Sequence, residues 1–296
     1  MPETVDVAHN KAPVHEVLGK PHQFAEVGKQ AKDLLYKGFS SGHMLMISCI
    51  MPGGTLLTST ATMLGGAIVG TMSTSFKSAG VQTELSGGTL NQITASSTYD
   101  ELAPGLKIAL TTALPGAESI GKAQVQYQAN NAAFDATMIG LKTTPNLQVS
   151  ANLGSERLSL GGSALYNSET KEVSALSTGI GYLRPDMSAS LFYDLLKDNS
   201  MDAYFTRQIS PRATVGGHVH FEIEKQLTSA TFGGSLKLDP QSTIKAKWDN
   251  QGILGALFEH QPNPFVSFGM AVGMDTTDLR KQPSVGFSFT VIGSVS

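Results

Sequence analysis

Residues 214–225 read TVGGHVHFEIEK, and this stretch decides the fold class. The apolar side chains of Val219, Phe221 and Ile223 are separated by single polar residues. Those polar residues are His218, His220, Glu222 and Glu224. Because side chains alternate between the two faces of a strand, this period of two predicts a β-strand with one apolar and one polar face.

The same alternation recurs over most of the chain. It is found in KAQVQYQA (122–129), LQVSANL (147–153), VSFGMAVGM (266–274) and FSFTV (287–291). Turn-forming Gly, Pro, Asn and Asp residues separate these segments at intervals of about 9 to 18 residues, which is typical of an all-β meander. Strands with one apolar and one polar face fit a soluble sandwich or a membrane barrel, and the length of 43–296 favours one large barrel.

Composition narrows the class further. The 296 residues carry a formal net charge of −3, so no nucleic-acid partner is expected. Only 15% of them are charged, against about 25% in typical proteins. Residues 38–76 contain no Asp, Glu, Lys or Arg, yet Pro52, Gly53 and Gly54 interrupt this run. Two uncharged strands joined by a turn are therefore predicted there rather than a membrane-spanning helix.

The single cysteine and the N-terminus exclude other classes. Cys49 alone forms no disulfide framework and no multi-thiolate zinc site, and it is interpreted as a small buried hydrophobe. The first residues have neither the basic and apolar regions of a secretory signal nor the acid-poor composition of a transit peptide. We therefore expect any organelle address to lie elsewhere in the chain.

One segment departs from the strand pattern. In QFAEVGKQAKDLLYK (23–37), apolar residues recur at helical spacing, while Lys29, Lys32 and Asp33 occupy other faces. This predicts an amphipathic helix of about four turns. GFSSG (38–42), bounded by Gly38 and Gly42, is predicted to be a flexible link. Such a helix either packs on a soluble core or acts as a plug or gate in a barrel.

Several motifs resemble those of mitochondrial voltage-dependent anion channels, the plant members especially. They occur in the same order along the chain and cover 23–296. The motifs are VGKQAKDLLYKGF (27–39), ELAPGLK (101–107), GKAQVQY (121–127), ISPRATVGG (209–217) and LDPQSTIKAKWDNQG (238–252). SVGFSFTVI (284–292) resembles the sorting signal of such barrels and would supply the organelle address.

The resemblance implies a 19-stranded barrel in the mitochondrial outer membrane, with the helix inside the pore taking part in voltage gating. It also implies passive exchange of inorganic anions and small metabolites, including ATP and ADP, without catalysis or a cofactor. We expect an extension at 1–22, the helix at 23–37, the link at 38–42 and the pore at 43–296. The lipid bilayer is the expected partner, and a homo-oligomer is left open.

The candidate site residues follow from the resemblance and from strand phase. Lys29, Lys32, Asp33 and Lys37 match the family's helix segment, and Gly38 and Gly42 are the expected hinge. Gly105, Leu106 and Lys107 match a motif that the family associates with nucleotides. The candidates for the lumen are Lys122, His218, His220, Glu222, Glu224, Lys245 and Lys247.

Two motifs have simpler explanations. GAESIGKA (116–123) resembles a phosphate-binding loop, but Ala123 replaces the metal-binding hydroxyl and a strand pattern follows it. His218 and His220 have a spacing that suits metal binding, with His260 as a further ligand, but polar residues facing an aqueous pore explain them better. No metal site is expected.

The chain also departs from the family. Family members are usually basic, whereas this chain is net negative and its first two strands lack charge. We therefore expect weak selectivity between ions. Two other functions stay open: a barrel of the same superfamily acting in import or tethering, and a soluble β-sandwich that binds a ligand.

Overall fold

The computed structural model describes residues 21–89, 92–114, 121–140, 144–155, 157–196 and 199–294. Within them lie a short 3-10 turn, one α-helix and 19 strands. The 3-10 turn is Phe24–Glu26 and α1 is Lys29–Tyr36. The strands are β1 (His43–Ile50), β2 (Leu56–Leu64), β3 (Ala67–Ser78), β4 (Val81–Gly88), β5 (Ile93–Ala103), β6 (Leu106–Leu114), β7 (Gly121–Gln128), β8 (Ala132–Ile139), β9 (Asn146–Gly154), β10 (Leu158–Asn167), β11 (Glu172–Leu183), β12 (Met187–Asp194), β13 (Ser200–Ser210), β14 (Ala213–Glu222), β15 (Leu227–Lys237), β16 (Ser242–Asp249), β17 (Ile253–Asn263), β18 (Val266–Asp275) and β19 (Ser284–Ser294).

The strands form one sheet that closes on itself. Consecutive strands pair antiparallel, and β1 completes the ring by pairing in parallel with β19, where Met44 is opposite Ser288. The parallel pair is a consequence of the odd number, because the first and last strands of an up-and-down series of 19 run in the same direction. Closure leaves no strand edge unpaired, as a bilayer requires. The predicted 19-stranded barrel is confirmed.

The predicted alternation of faces is also present. On β1, Leu45 and Ile47 are 43% and 50% exposed on the outside, whereas Ser48 faces inward and is buried. Elsewhere on the outer surface, Val149, Phe232 and Met270 are among the exposed large apolar residues. This apolar exterior is the surface that lipid covers in a membrane barrel.

The turn predicted at Pro52 to Gly54 joins β1 and β2. In the described part of the chain, neither helical segment has the length and apolar character needed to cross a membrane. The uncharged run from 38 to 76 contains β1, β2 and most of β3, so the predicted strands are present there.

The N-terminal helix is shorter than predicted. A continuous helix over 23–37 was expected, but the 3-10 turn Phe24–Glu26 and α1 (Lys29–Tyr36) are separated at Gly28. Gly28 has φ +75°, and a Cβ there would lie 2.6 Å from Oγ of Ser190 on the wall. The chain bends at this residue because only glycine allows both the left-handed backbone and the close approach.

The barrel has two rims, defined by strand direction. We call the rim where odd-numbered strands end the lower rim, and the rim where they begin the upper rim. Pro21 and His22 lie beside the lower ends of β7 and β9, and β1 begins at the upper rim. The segment from 21 to 42 therefore crosses the lumen along the inner wall.

Candidate functional site: the lumen and its docked helix

The residues that contact the N-terminal segment identify the inner face of the wall. Gly216 of β14 and Gly233 of β15 lie against α1 and are directly opposite each other in the sheet. Opposed residues share a face, so the neighbouring pairs His218–Thr231 and Thr214–Ser235 also face inward. The lumen is thus lined mainly by hydroxyl, amide, glycine and charged side chains.

A series of inward-facing glycines holds the N-terminal segment against the wall. We call it the glycine track. A Cβ added at each of its members would lie within 3.2 Å of a side chain of this segment. The pairs, with the Cβ distance, are Gly161 with Phe24 (2.5 Å), Gly181 with Val27 (2.7 Å), Gly216 with Leu34 (2.9 Å), Gly233 with Leu35 (2.8 Å) and Gly255 with Phe39 (3.2 Å).

The apolar face of the segment is buried by this contact. Ala31 and Leu35 have no exposed surface, and Phe24, Val27 and Leu34 are at most 9% exposed. These residues are the largest part of the apolar core, to which the wall adds Ala133, Leu257 and Ala271. Burial of their apolar surface stabilises the docked position.

A chain of hydrogen bonds joins the C-terminal end of α1 to the wall. Oδ1 of Asp202 accepts from Nε2 of His218 and from Nδ1 of His220, both at 2.8 Å. With Nε2 protonated, Nδ1 of His218 accepts the Tyr36 hydroxyl at 2.5 Å. Burial raises the pKa of Tyr36, which keeps its hydroxyl protonated as the donor. The ring of Tyr204 stacks on His218 with centroids 4.1 Å apart.

Two lysines contact aromatic rings between the helix and the wall. Nζ of Lys32 lies 5.2 Å from the ring centre of Phe192 and 5.0 Å from that of Tyr204. Nζ of Lys247, on β16, lies 5.0 Å from the ring of Tyr36 and 4.7 Å from that of Phe39. Cation–π contacts of this kind attract a docked cation to its ring.

The lower end of the segment is held by its backbone. The amide of Gln128 donates to the carbonyl of Pro21 at 3.1 Å, and the fully buried Asn152 donates to that of His22 at 2.7 Å. Nδ1 of His22 is 3.3 Å from the carboxylate of Glu26. This hydrogen bond lowers the pKa of Glu26 against the opposing effect of burial, with a smaller contribution from Lys29.

The other predicted helix and hinge residues lie on α1 and on the segment that joins it to β1. Lys29 and Lys37 are exposed to the lumen, and Asp33 is half-buried. Gly38 has φ +92°, and a Cβ there would lie 2.6 Å from Leu257. The backbone N–H of Gly42 donates to Oγ of Ser40 at 3.2 Å. A hinge at the two glycines stays a prediction.

The nucleotide-associated motif is divided between a turn and a strand. Gly105 has φ +80° in the β5–β6 turn, and its carbonyl accepts from the N–H of Gln128 at 2.8 Å. Leu106 is opposite Tyr127 on the outer face, while Lys107 faces inward and pairs with Asp100 at 3.2 Å. Of the three residues, Lys107 alone places a charge in the lumen.

Strand register places most of the predicted lumen residues inward. They are Lys122, His218, His220, Glu222, Lys245 and Lys247. Lys245 pairs with Glu259 at 3.0 Å, and Glu222 with Lys225 at 2.8 Å. Glu224 lies in the turn at the upper rim that follows the end of β14 at Glu222, so strand register does not assign its direction and its place in the lumen stays a prediction.

The remaining motifs can be placed in part. Gly121 to Ala123 of GAESIGKA belong to β7, and 116–120 lie outside the described residues. His218 and His220 share Asp202, whereas His260 faces outward and bonds Ser242 at 2.9 Å. The described residues contain no group of three or more His, Cys, Asp or Glu side chains placed to hold a metal ion.

The glycine track, Asp202 and the contact of Tyr36 with the wall were not predicted from the sequence. One signal was present: Gly-Gly pairs occur inside strand patterns at 161–162, 216–217 and 233–234. Glycine weakens a strand interior and often marks a close approach of another group. Nothing comparable in the sequence indicates that Tyr36 contacts His218, 182 positions away.

A closed barrel with an apolar outer face, a polar lumen and a helix docked inside it defines an integral membrane channel. The family model described as "Eukaryotic porin" matches residues 20–286. The chain belongs to this family.

Named relatives cover nearly the whole chain. "Mitochondrial outer membrane protein porin 3" of Arabidopsis thaliana is 29% identical over 92% of this chain and 98% of its own. "Mitochondrial outer membrane protein porin of 34 kDa" of Solanum tuberosum is 30% identical over 93% and 99%. "Outer plastidial membrane protein porin" of Pisum sativum is 27% identical over 92% and 98%.

The predicted localisation in the mitochondrial outer membrane is confirmed by the relatives named for that membrane. Among solved structures, a triple mutant of the Rhodopseudomonas blastica porin covers 80% of this chain and 90% of its own. Its TM-score of 0.47 and identity of 10% are too low to bear on function.

Proposed function

We propose that this channel is voltage-gated, weakly selective and non-catalytic, and that inorganic anions and small metabolites, including ATP and ADP, diffuse through it. The observation that carries the proposal is the polar lumen narrowed by a helix that packs against the wall through side chains and is not a strand of the sheet. A hydrophilic path through the barrel supports diffusion, and a separable element inside it supports gating.

Voltage sensitivity is supported by the charges on the docked segment. Lys29, Lys32 and Lys37 lie in the lumen with Glu26 and Asp33. Moving one elementary charge across the membrane changes its energy by about 2.3 kcal/mol per 100 mV. Displacement of this segment, or of the wall that holds it, would therefore respond to the membrane potential.

Weak selectivity is supported by the mixture of charges on the wall. Several lysines face the lumen, but some are paired with carboxylates, as Lys107 is with Asp100 and Lys245 with Glu259. Strands β19, β1 and β2 contribute no Asp, Glu, Lys or Arg to the wall. Neither positive nor negative charge dominates the lumen. Lysine side chains can therefore attract a large anion such as ATP, although the lumen as a whole is not strongly positive.

The test is single-channel recording in a planar bilayer with the purified full chain, compared with deletion of residues 1–37 and deletion of residues 1–20. The full chain and the shorter deletion should conduct at low voltage and close at high voltage. The longer deletion should conduct more and close less. Absence of conductance from the folded full chain would refute the channel.

Selectivity and transport are measured on the same preparation. A KCl gradient across the bilayer should give a small reversal potential, and a large potential of the sign for anions would contradict weak selectivity. ATP on one side should carry current under a bi-ionic gradient. If closure still depends on voltage after residues 1–37 are deleted, the docked segment has no role in gating.

A further inference from the structure

Four of the five arginines of the chain lie at one rim. Arg157 is in the β9–β10 turn, Arg184 in the β11–β12 turn and Arg212 in the β13–β14 turn, while Arg207 is near the end of β13. All of these turns are at the lower rim. The remaining arginine, Arg280, lies in the β18–β19 connection at the upper rim.

The four arginines form a continuous arc. We call these four residues the basic rim. Neighbouring turns are bonded to each other: Leu183 N–H donates to the carbonyl of Arg157 at 2.9 Å, and Lys237 N–H to that of Arg212 at 2.8 Å. Turns that are two strands apart are separated by about 10 Å, a spacing on the scale of neighbouring headgroups in a leaflet.

These side chains are exposed and available. All four are exposed, and none of them forms an ion pair with another described residue. Two acids lie nearby at this rim. The backbone carbonyl of Asp186 accepts from the N–H of Gln208, and Oδ1 of Asp239 accepts from the N–H of Gln241. Among the described residues, neither carboxylate forms an ion pair with these arginines.

Arg207 shows which kind of surface the arc faces. It is on the outer face of β13, opposite Met187 on β12 and Val215 on β14. The exposed Phe205 precedes it on the same face. A guanidinium among lipid-facing apolar side chains is tolerated at the membrane interface, where it reaches the headgroups, and not at mid-depth. The position therefore places this rim at the level of the phosphates.

We infer that the basic rim binds the phosphate headgroups of anionic phospholipids. Guanidinium groups bind phosphate oxygens through two parallel hydrogen bonds, which an ammonium does not reproduce. A basic cluster at the membrane interface is attracted to anionic lipid. A lipid partner is favoured over an acidic protein because Arg207 projects from the lipid-facing side of the wall. The inference is independent of the channel's selectivity and gating.

The experiment uses the full chain folded in detergent and measures retention of phosphatidic acid and phosphatidylcholine by native mass spectrometry. The wild type should retain phosphatidic acid at least tenfold more strongly. Arg207→Gln should reduce this preference about fivefold, the effect of one interfacial charge. Arg280→Gln, which removes the same side chain from the upper rim, is the matched control and should leave the preference unchanged.

A combined variant extends the test. Replacing Arg157, Arg184, Arg207 and Arg212 with Gln should bring the two lipids within about twofold of each other. Conductance in a planar bilayer checks that the combined variant is folded. If it does not fold, the comparison of Arg207→Gln with Arg280→Gln tests the inference by itself. Equal loss from the Arg280 variant, or a preference retained by the folded combined variant, would overturn the inference.

Two further arms separate other sources of the same chemistry. Inorganic phosphate in the millimolar range should not displace phosphatidic acid, and full displacement would indicate a site for soluble phosphate instead. A polyglutamate peptide should bind weakly and without dependence on Arg207. Arginine-dependent binding of the peptide without any lipid preference would point to an acidic protein and overturn the inference.

Discussion

Gly181 of β11 lies directly against Val27 of the N-terminal segment, so closely that a Cβ on Gly181 would be 2.7 Å from Cγ1 of Val27. The next atom it would meet is Oγ of Ser159 at 2.8 Å, again a side-chain atom. The wall at this point has room for the segment only because residue 181 has no side chain. Docking of the N-terminal segment therefore depends on the residues of the wall as well as on those of the segment.

Gly181→Ala should therefore weaken docking. Forcing a methyl group into a filled contact costs about 1–3 kcal/mol, which changes the ratio of docked to displaced segment by about fivefold to 150-fold. We expect faster proteolysis of the N-terminal segment in the folded protein and a shift of the closing voltage. Both are measured on purified protein, by limited proteolysis and in a planar bilayer.

Two variants make this prediction specific. Gly87→Ala, on the outer face of β4 where the nearest atom is 3.9 Å away, should leave both readouts unchanged. Val27→Ala should partly rescue Gly181→Ala by restoring space. If the Gly181 variant behaves as the wild type, the glycine track does not control docking.

The hydrogen bond from Tyr36 to His218 should set the closing voltage. Tyr36→Phe keeps the ring between helix and wall but removes the hydroxyl that lies 2.5 Å from Nδ1 of His218. Loss of such a bond costs about 1 kcal/mol, so the docked and displaced states shift by roughly fivefold.

The readout is the voltage of half-closure in single-channel recordings. Tyr166→Phe, which changes a tyrosine on the outer face of β10, is the control and should have no effect. An unchanged closing voltage in the Tyr36 variant would show that this bond does not hold the gate.

Breaking the pair of Lys245 and Glu259 should change ion selectivity. The two charges lie 3.0 Å apart on the inner wall, and Lys245→Gln leaves the carboxylate facing the lumen alone. The reversal potential in a KCl gradient should move toward cations, because an uncompensated acid in a pore attracts them.

The double change of Lys245 and Glu259 to Gln should return the reversal potential close to that of the wild type. Lys281→Gln breaks a pair with Asp275, 2.7 Å apart, in the upper-rim connection and should have a smaller effect. If the Lys245 and Lys281 variants shift the reversal potential equally, a charge on the inner wall has no greater effect on selectivity than a charge at the upper rim.

Acid should loosen the lower end of the docked segment. The hydrogen bond from His22 lowers the pKa of Glu26 below its ordinary value of 4.5. A carboxyl with a depressed pKa in the folded state adds stability above its ordinary pKa, and this stability is lost as the pH falls through the depressed value. Proteolysis of the segment by an acid protease should thus increase below about pH 4.5.

The matched variant is Glu26→Gln, which has no charge to lose. It should show weaker docking at neutral pH and little further change on acidification. A pH dependence identical to that of the wild type would assign the acid effect to another group.

Some features of the site were predictable, and others were not. The inward position of Lys245 and His218 follows from strand phase, which a few neighbouring residues reveal. The break at Gly28 was not predicted, because the helical spacing of Phe24, Val27 and Ala31 continues across it. The helix breaks where Gly28 lies close to Ser190 of the wall. The residues around Gly28 do not reveal that Ser190 is near.

The sequence by itself determined the strands and their two faces, because alternation with a period of two is a local property that each segment carries on its own. Only the tertiary structure decided where the helix lies, since closure of β19 onto β1 fixes which strands face it across the lumen. The contacts of Val27 with Gly181 and of Tyr36 with His218 join residues far apart in sequence. They exist because a closed cylinder brings those parts of the chain to the same place.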